Sequence, residues 1–269
     1  MIPVTSARSL AEANALLAQA PRGLRVLAGG TDLMVAINAR IGLDRIGHVL
    51  DIWRVPELRG ISRDGQTLRI GALTTYAELM RSEEVLAGLP ALAAVSREVG
   101  AWAIQNRGTI GGNVCNASPA GDTLPILLAA DAIFVLGGPR GERTVPADKF
   151  FVAYRKTALG ADELLLRIEI PLLPQARLAY RKVGTRKAQS ISRTIVAVRK
   201  GPGLVRIAAG CVAPLPLRCR NAEAAALAGR DPAALRAALE RDIAPIDDVR
   251  ATALYRSRVT GNVLLRLLE

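Results

Sequence analysis

The chain has 269 residues, of which 50% are apolar and 22% charged, enough for a substantial buried core and incompatible with intrinsic disorder. Aromatic residues make up only 3%, so the core is aliphatic, and no apolar run approaches the ~20 residues that span a bilayer. The net charge of +12 arises from 36 Lys plus Arg against 24 Asp plus Glu. These cations are scattered and not interleaved with aromatics, which argues against a stacking nucleic-acid surface and for a solubilising surface or faces that meet acidic partners.

The opening "MIPVTSARSLAEA" shows no charged segment leading into an apolar one, so a cytoplasmic location is expected. Ser9 and Glu12 have capping-box spacing, and Leu10, Ala13, Leu17 and Ala20 follow at helical intervals until Pro21, Arg22 and Gly23 break the pattern. "LRVLA" reads as a buried strand running into Gly29-Gly30, and "TDLMVAINAR" as a helix with Thr31 or Asp32 at its start. Strand candidates "HVLDI" and "RGIS" precede a hairpin turn at "RDGQ", and Thr75 with Glu78 offers a second capping box. A helix after Pro90 is expected to run to Gly100.

Residues 106–125, "NRGTIGGNVCNASPAGDTLP", follow, then a helix in "TLPILLAADA", a strand in "AIFVLGG" and a hairpin return through "RTVPA". "LLLRIEIPL" is a strand closed by Pro171 and Pro174. The pattern then shifts, placing a domain boundary at residue 174, with domains 1–174 and 175–269. Beyond it, "LAYRKVG", "RTIVAVRK" and "LVRIAAGCVA" predict a three-stranded meander. Three helices close the chain, the second with Asp231 as N-cap and Pro232 in its first turn.

Three cysteines and one histidine, His48, argue against a disulfide framework, a zinc or iron–sulfur site within the chain, and histidine-dependent nucleophilic catalysis. The chemistry must sit in the glycine pairs. Glycine lets backbone N–H groups approach a ligand, and N–H donors at a glycine turn leading into a helix bind phosphate. Gly29-Gly30 and Gly111-Gly112 supply two such clusters, which together suit a diphosphate. Neither matches a dinucleotide GxGxxG or a Walker loop. Their polar company, Thr31, Asp32, Thr109, Asn113, Asn116, Ser118 and Asp122, carries the hydroxyl, amide and carboxylate groups that a ribityl or ribose chain would require.

"AGGTDL" with "GTIGGNVCNASPAGD", "FFVAYRKTALGADELLLRIEIP" (150–171) and "YRKVGTRKAQSIS" (180–192) resemble the FAD-binding medium subunit of molybdenum hydroxylases, the group of xanthine dehydrogenase and carbon monoxide dehydrogenase. The resemblance covers essentially the whole chain. It implies an α+β fold: a vanillyl-alcohol-oxidase (PCMH)-type FAD-binding domain, then a small C-terminal domain of a three-stranded antiparallel sheet plus a helical bundle.

The resemblance also implies site residues. Val26, Leu27, Ala28, Gly29, Gly30, Thr31, Asp32 and Leu33 would wrap the FAD diphosphate and ribityl region, and Thr109, Gly111, Gly112 and Asn113 would form the second cluster. Asp122 would meet a ribose hydroxyl of the adenosine half, Leu165 would pack on the flavin or adenine, and Lys182 would approach the pyrimidine edge of the flavin ring. From residue type alone, Lys182 reads as a solvated strand lysine and Cys115 as an inert thiol. Gly30→Val or Gly111→Val is expected to abolish FAD binding by blocking the backbone's approach.

By the same resemblance the chain is an electron-transfer oxidoreductase subunit. Its partners are a large molybdopterin subunit and a small subunit with two [2Fe–2S] clusters, as a dimer of heterotrimers. The basic run Arg181 to Lys187 would be partly interface, and the substrate of the complex a purine, an N-heterocycle or another aromatic compound. The alternative is a self-contained FAD oxidoreductase acting directly on a small substrate.

Overall fold

Short aliphatic strands separated by helices dictate the first lobe. In the computed structural model, which describes residues 2–19, 22–187 and 189–269, the strands β1 (Val4–Ser6), β2 (Leu24–Leu27) and β3 (His48–Asp51) form a parallel sheet in the order β1-β3-β2. Parallel neighbours need crossovers, supplied by α1 (Leu10–Ala18) and α2 (Leu33–Asn38). Ser9 Oγ caps α1 by accepting the Glu12 N–H (3.1 Å), while the Glu12 carboxylate turns to the Arg8 N–H (2.7 Å). Ala20 and Pro21, expected at the end of this helix, lie outside the described residues. His48 is structural: its Nε2 meets Thr5 Oγ1 at 2.9 Å across the β1–β3 pair.

The second lobe is a five-stranded antiparallel sheet. Its strands are β4 (Ile61–Asp64), β5 (Thr67–Gly71), β6 (Ile133–Gly138), β7 (Gly141–Pro146) and, after a small hairpin of β8 (Phe151–Ala153) and β9 (Lys156–Thr157), β10 (Leu164–Pro171). The order is β4-β5-β10-β6-β7. Seven helices accompany it among the described residues: α3 (Tyr76–Arg81), α4 (Glu83–Gly88), α5 (Pro90–Ser96), α6 (Trp102–Arg107), α7 (Ile110–Asn116), α8 (Leu124–Ala129) and α9 (Ala147–Phe150). Thr75 and Glu78 form the full reciprocal capping box on α3. The helix after Pro90 stops at Ser96 rather than Gly100: the N–H groups of Arg97, Glu98 and Val99 bond only three residues back, and Gly100 at φ +56° leads into α6. The chain's three phenylalanines, Phe134, Phe150 and Phe151, pack edge to face at centroid separations of 4.8 to 6.1 Å in the main core.

The C-terminal sheet has four strands, not three: β11 (Arg177–Val183), β12 (Thr194–Gly201), β13 (Leu204–Gly210) and β14 (Leu217–Arg218), in that order. The fourth is only two residues long and follows Pro214 and Pro216, a sequence that reads as loop. Alternation along β12 buries both faces: Ile195 and Ala197 join the main core, while Val196 and Val198 face a second core. The second core is closed by α10 (Arg220–Leu227), α11 (Pro232–Asp242) and α12 (Ala253–Leu268). Arginines lock the sheet to the end of α8. Arg206 and Arg218 pair with Asp131 at 2.9 and 2.6 Å, and Arg199 donates to the Ala130 carbonyl at 3.0 Å. Glu223 receives Arg218 a second time.

Candidate functional site

Strand β2 ends at Leu27 and the chain turns through Ala28–Asp32 before α2. Gly30 holds φ +78°, which favours glycine. Gly29 is needed for a different reason: a Cβ there would lie 1.8 Å from the Arg107 carbonyl oxygen and 3.2 Å from Gly108 Cα. The first glycine segment is therefore seated directly on the start of the second. Asn116 adds a bridge, donating from Nδ2 to Asp32 Oδ1 at 3.0 Å while its Oδ1 accepts from Arg155 at 3.1 Å. The two motifs, over seventy residues apart in sequence, form one structure.

The N–H groups of Gly29, Gly30, Thr31 and Asp32 meet no acceptor among the described residues. The Gly30 carbonyl is occupied by the Met34 N–H at 3.0 Å, so this turn is fixed while its donors stay free. Four adjacent free amides on a pinned loop fit an anionic diphosphate. The helix behind them, α2, has only six residues, so the loop amides rather than a helix dipole supply the field. Val26 lies exposed in β2, and Leu27, Ala28 and Leu33 are half-buried around the turn.

The second motif differs from its expected form. Gly111 and Gly112 lie inside the first turn of α7, not in a loop before it. Their donors are committed within the protein: Gly111 N–H to the Ala72 carbonyl (2.9 Å), Gly112 N–H to Thr109 Oγ1 (3.0 Å) and Asn113 N–H to the Thr109 carbonyl (3.0 Å). A second cluster of free glycine amides is therefore not formed. What remains for a ligand is the Thr109 N–H, which meets no acceptor among the described residues, and the side chains of Thr109 and Asn113. A Cβ at Gly111 would fall 2.5 Å from the Ala72 carbonyl and 2.6 Å from its Cβ. Gly111→Val is thus a packing lesion, and the expected block of the backbone's approach to a ligand does not describe it.

Asp122 and Lys182 depart further from expectation. They are partners in a buried ion pair, Nζ to Oδ2 at 2.6 Å, with side chains only 10% and 4% exposed. Lys182 is therefore not a solvated strand lysine. Ser192 donates to the other Asp122 oxygen at 2.6 Å, and Lys182 also donates to the Glu98 carbonyl at 3.0 Å. Tyr180, two residues along the same strand, donates its hydroxyl to the Glu98 carboxylate at 2.7 Å. Burial pushes the Asp122 carboxyl above its ordinary range, with Lys182 pulling in the opposite direction. The same burial raises the Tyr180 phenol, with the Glu98 hydrogen bond adding to it. The ion pair brings Asp122 and Lys182 together at one place in the fold.

Leu165 sits in β10 within the main core at 4% exposure, beside a bulge between Leu165 and Arg167. Cys115 packs against the same core, where burial pushes its thiol pKa up to about 12 and the Leu165 backbone pulls in the opposite direction. Glu98, Tyr180, Arg155 and Ser192 were not among the sequence candidates. Their contacts to the site span 39 to 84 residues, and no local motif marks such distances. Among the described residues no group of His, Cys, Asp or Glu could hold a metal ion.

A parallel lobe, an antiparallel lobe and a free-amide loop where they meet suit a protein that binds an anionic nucleotide cofactor. The sequence model of the "FAD binding domain in molybdopterin dehydrogenase" matches residues 1–173, and that of the "CO dehydrogenase flavoprotein C-terminal domain" matches residues 179–269. The chain belongs to this family: it is a medium, FAD-binding subunit of the molybdenum hydroxylase type and a component of an oxidoreductase.

Among its relatives, the carbon monoxide dehydrogenase medium chain of Hydrogenophaga pseudoflava is 36% identical over 272 residues, covering 97% of this chain and 94% of the relative. The xanthine dehydrogenase FAD-binding subunit of Escherichia coli O157:H7 is 35% identical over 276 residues, covering 98% and 93%. The solved carbon monoxide dehydrogenase of Hydrogenophaga pseudoflava that lacks the Mo-pyranopterin moiety aligns with a TM-score of 0.92 at 35% identity, over 98% of this chain and 95% of that one.

Proposed function

We propose that the chain is the electron relay of its complex. It would take electrons from [2Fe–2S] clusters of a small partner subunit, downstream of a large molybdopterin subunit, and pass them to an external acceptor. The observation that supports this reading is the seating of Gly29 on the Arg107 carbonyl, which pins a loop whose four adjacent amides meet no acceptor among the described residues. Bound there, FAD supplies a carrier that accepts electrons singly and releases them in pairs.

The protein's own residues bind and orient. Val26 to Leu33 would wrap the cofactor, with the amides of Gly29 to Asp32 donating to the diphosphate. Thr109 and Asn113 would contact the sugar chain through side chains, while Gly111 holds α7 against Ala72 and Gly112 donates to the capping Thr109 hydroxyl. Leu165 lines the apolar wall beside Cys115. Lys182 presents a cation whose charge is held in place by Asp122 and Ser192, and a buried cation stabilises negative charge arriving nearby. No side chain is required as an acid or base in this scheme.

The rest of the reading follows the same resemblance: a cytoplasmic dimer of heterotrimers, two domains meeting near residue 174, and a purine, N-heterocycle or other aromatic substrate, the last supported by residues 182–192. Purification of the complex tests it. A yellow protein absorbing near roughly 450 nm, as oxidised flavins do, that co-purifies with molybdenum and iron–sulfur chains is the expected result. Turnover of a substrate by this chain alone would sink the relay reading in favour of a self-contained oxidoreductase.

A further inference from the structure

We propose that Trp53 is a positioning residue for cofactor binding: acting through Arg107, its indole sets the conformation in which the loop from Gly29 to Asp32 offers its free amides to the FAD diphosphate. The inference rests on the reading of those amides as the diphosphate site. A loop whose N–H groups are reserved for a ligand makes few backbone hydrogen bonds of its own. Its shape must be imposed by its neighbours, and such preorganisation adds to affinity. One end of the turn is held by the hydrogen bonds from Asn116 to Asp32 and from Arg155 to Asn116. At the other end the Gly29 backbone packs on Arg107, where a Cβ would meet the carbonyl oxygen at 1.8 Å. What holds Arg107 therefore decides where the loop sits.

Arg107 is the last residue of α6, a helix of six residues with no side-chain cap at its start. The Gly108 carbonyl takes the Tyr76 N–H at 3.3 Å, which ties this end of the helix to α3 but not to the lobe that carries the loop. The exposed Arg107 guanidinium lies over the Trp53 ring at 3.9 Å, and among the described residues it has no ion pair or side-chain hydrogen bond. Trp53 belongs to the lobe of the loop. It follows β3, whose last residue, Asp51, pairs with Leu27 at the end of β2, and the Ile52 N–H donates to the Leu27 carbonyl at 3.0 Å. Asp51 Oδ1 accepts the Trp53 N–H at 2.9 Å, and Arg59 donates to the Trp53 carbonyl at 2.7 Å while its own guanidinium lies over the ring at 4.5 Å. Trp53 is thus held by partners other than Arg107. Leu27, Ile52, Trp53, Arg107 and Gly29 close a circuit at the entry to the turn. Its one link made by side chains alone is the cation–π contact, so that link can be removed by substitution without touching the loop.

The test titrates FAD into the full-length chain, followed by flavin fluorescence, and measures hydrogen exchange across residues 26–33 with and without FAD. Trp53→Ala and Arg107→Met should each bind FAD roughly three- to tenfold more weakly, the loss expected when a cation–π contact is removed. In both, exchange should quicken at residues 29–32 and stay unchanged in the main core. Arg107→Met alters an exposed side chain and keeps the chain folded whatever the fate of Trp53→Ala. Trp53→Phe and Arg107→Lys, which retain a ring face and a cation, should recover most of the affinity. Wild-type affinity in Arg107→Met and in any folded Trp53→Ala overturns the proposal, as does equal weakening by the two conservative variants. Exchange at residues 29–32 that FAD leaves unchanged in the wild-type chain would instead overturn the diphosphate reading, and the proposal with it.

Discussion

Replacing Lys182 by Met isolates the buried ion pair at the centre of the site. The ammonium is 4% exposed and 2.6 Å from Asp122, itself 10% exposed, so the substitution leaves a carboxylate desolvated with only Ser192 to serve it. Breaking one partner of a buried pair costs about 3–5 kcal/mol, a fifth or more of a typical domain's ~5–15 kcal/mol. The loss must depend on pH with a definite sign. Burial already holds the Asp122 carboxyl above its ordinary value of 3.8. Over that interval the folded state binds more protons than the unfolded one, so its contribution is present at low pH and lost as pH rises through the raised pKa.

Removing Lys182 extends the interval upward. Urea unfolding of wild type and Lys182→Met near pH 7.5 and pH 5 measures both effects. The account predicts the full loss at the higher pH, a smaller one at the lower, and partial recovery in Lys182→Met/Asp122→Asn. A loss under about 1 kcal/mol at both pH values, the size of an exposed pair, would refute the argument.

Other consequences can be checked together. Gly29→Ala drives a Cβ to 1.8 Å from a backbone carbonyl and should cost more stability than Gly30→Ala, whose Cβ meets only side-chain atoms at 3.2 Å or more and whose φ of +78° costs about 1–2 kcal/mol; equal melting temperatures would contradict this. Glu223→Gln weakens a bidentate contact to Arg218, with side chains 8% and 5% exposed, and calorimetry should show about 3 kcal/mol lost. Burial raises all three thiols, Cys115 and Cys211 to about 12, so the folded chain should resist thiol reagents at pH 8 and react fully only in denaturant.

Sequence carried the local elements and the order of the lobes. The Thr75–Glu78 capping box, the Asp231 cap on α11 and the alternation along β12 are contacts within a few residues, and those are what periodicity and capping rules describe. Strand β14 escaped because two residues after a proline pair carry no alternation to read. The site was legible as a set of residues but not as an arrangement. Glycine pairs mark a backbone that must come close to something, and they do not say whether that is a ligand or another strand of the same chain. At Gly29 and Gly111 it is the protein itself, Arg107 and Ala72. Likewise, Lys182 and Asp122 stand sixty residues apart, so their pairing, and with it the burial of a lysine, exists only in the tertiary fold.

The central claim is that the free amides of Gly29 to Asp32 hold the diphosphate of an FAD that relays electrons from partner clusters. Anaerobic reduction of the purified complex with its substrate class, followed at the flavin band, tests it most directly when repeated with this chain stripped of FAD. Bleaching of a stoichiometric flavin together with the clusters, and loss of electron delivery to the external acceptor but not of cluster reduction in the stripped complex, is the predicted result. Unimpaired delivery without FAD, or a flavin that stays oxidised while the clusters turn over, would contradict the account.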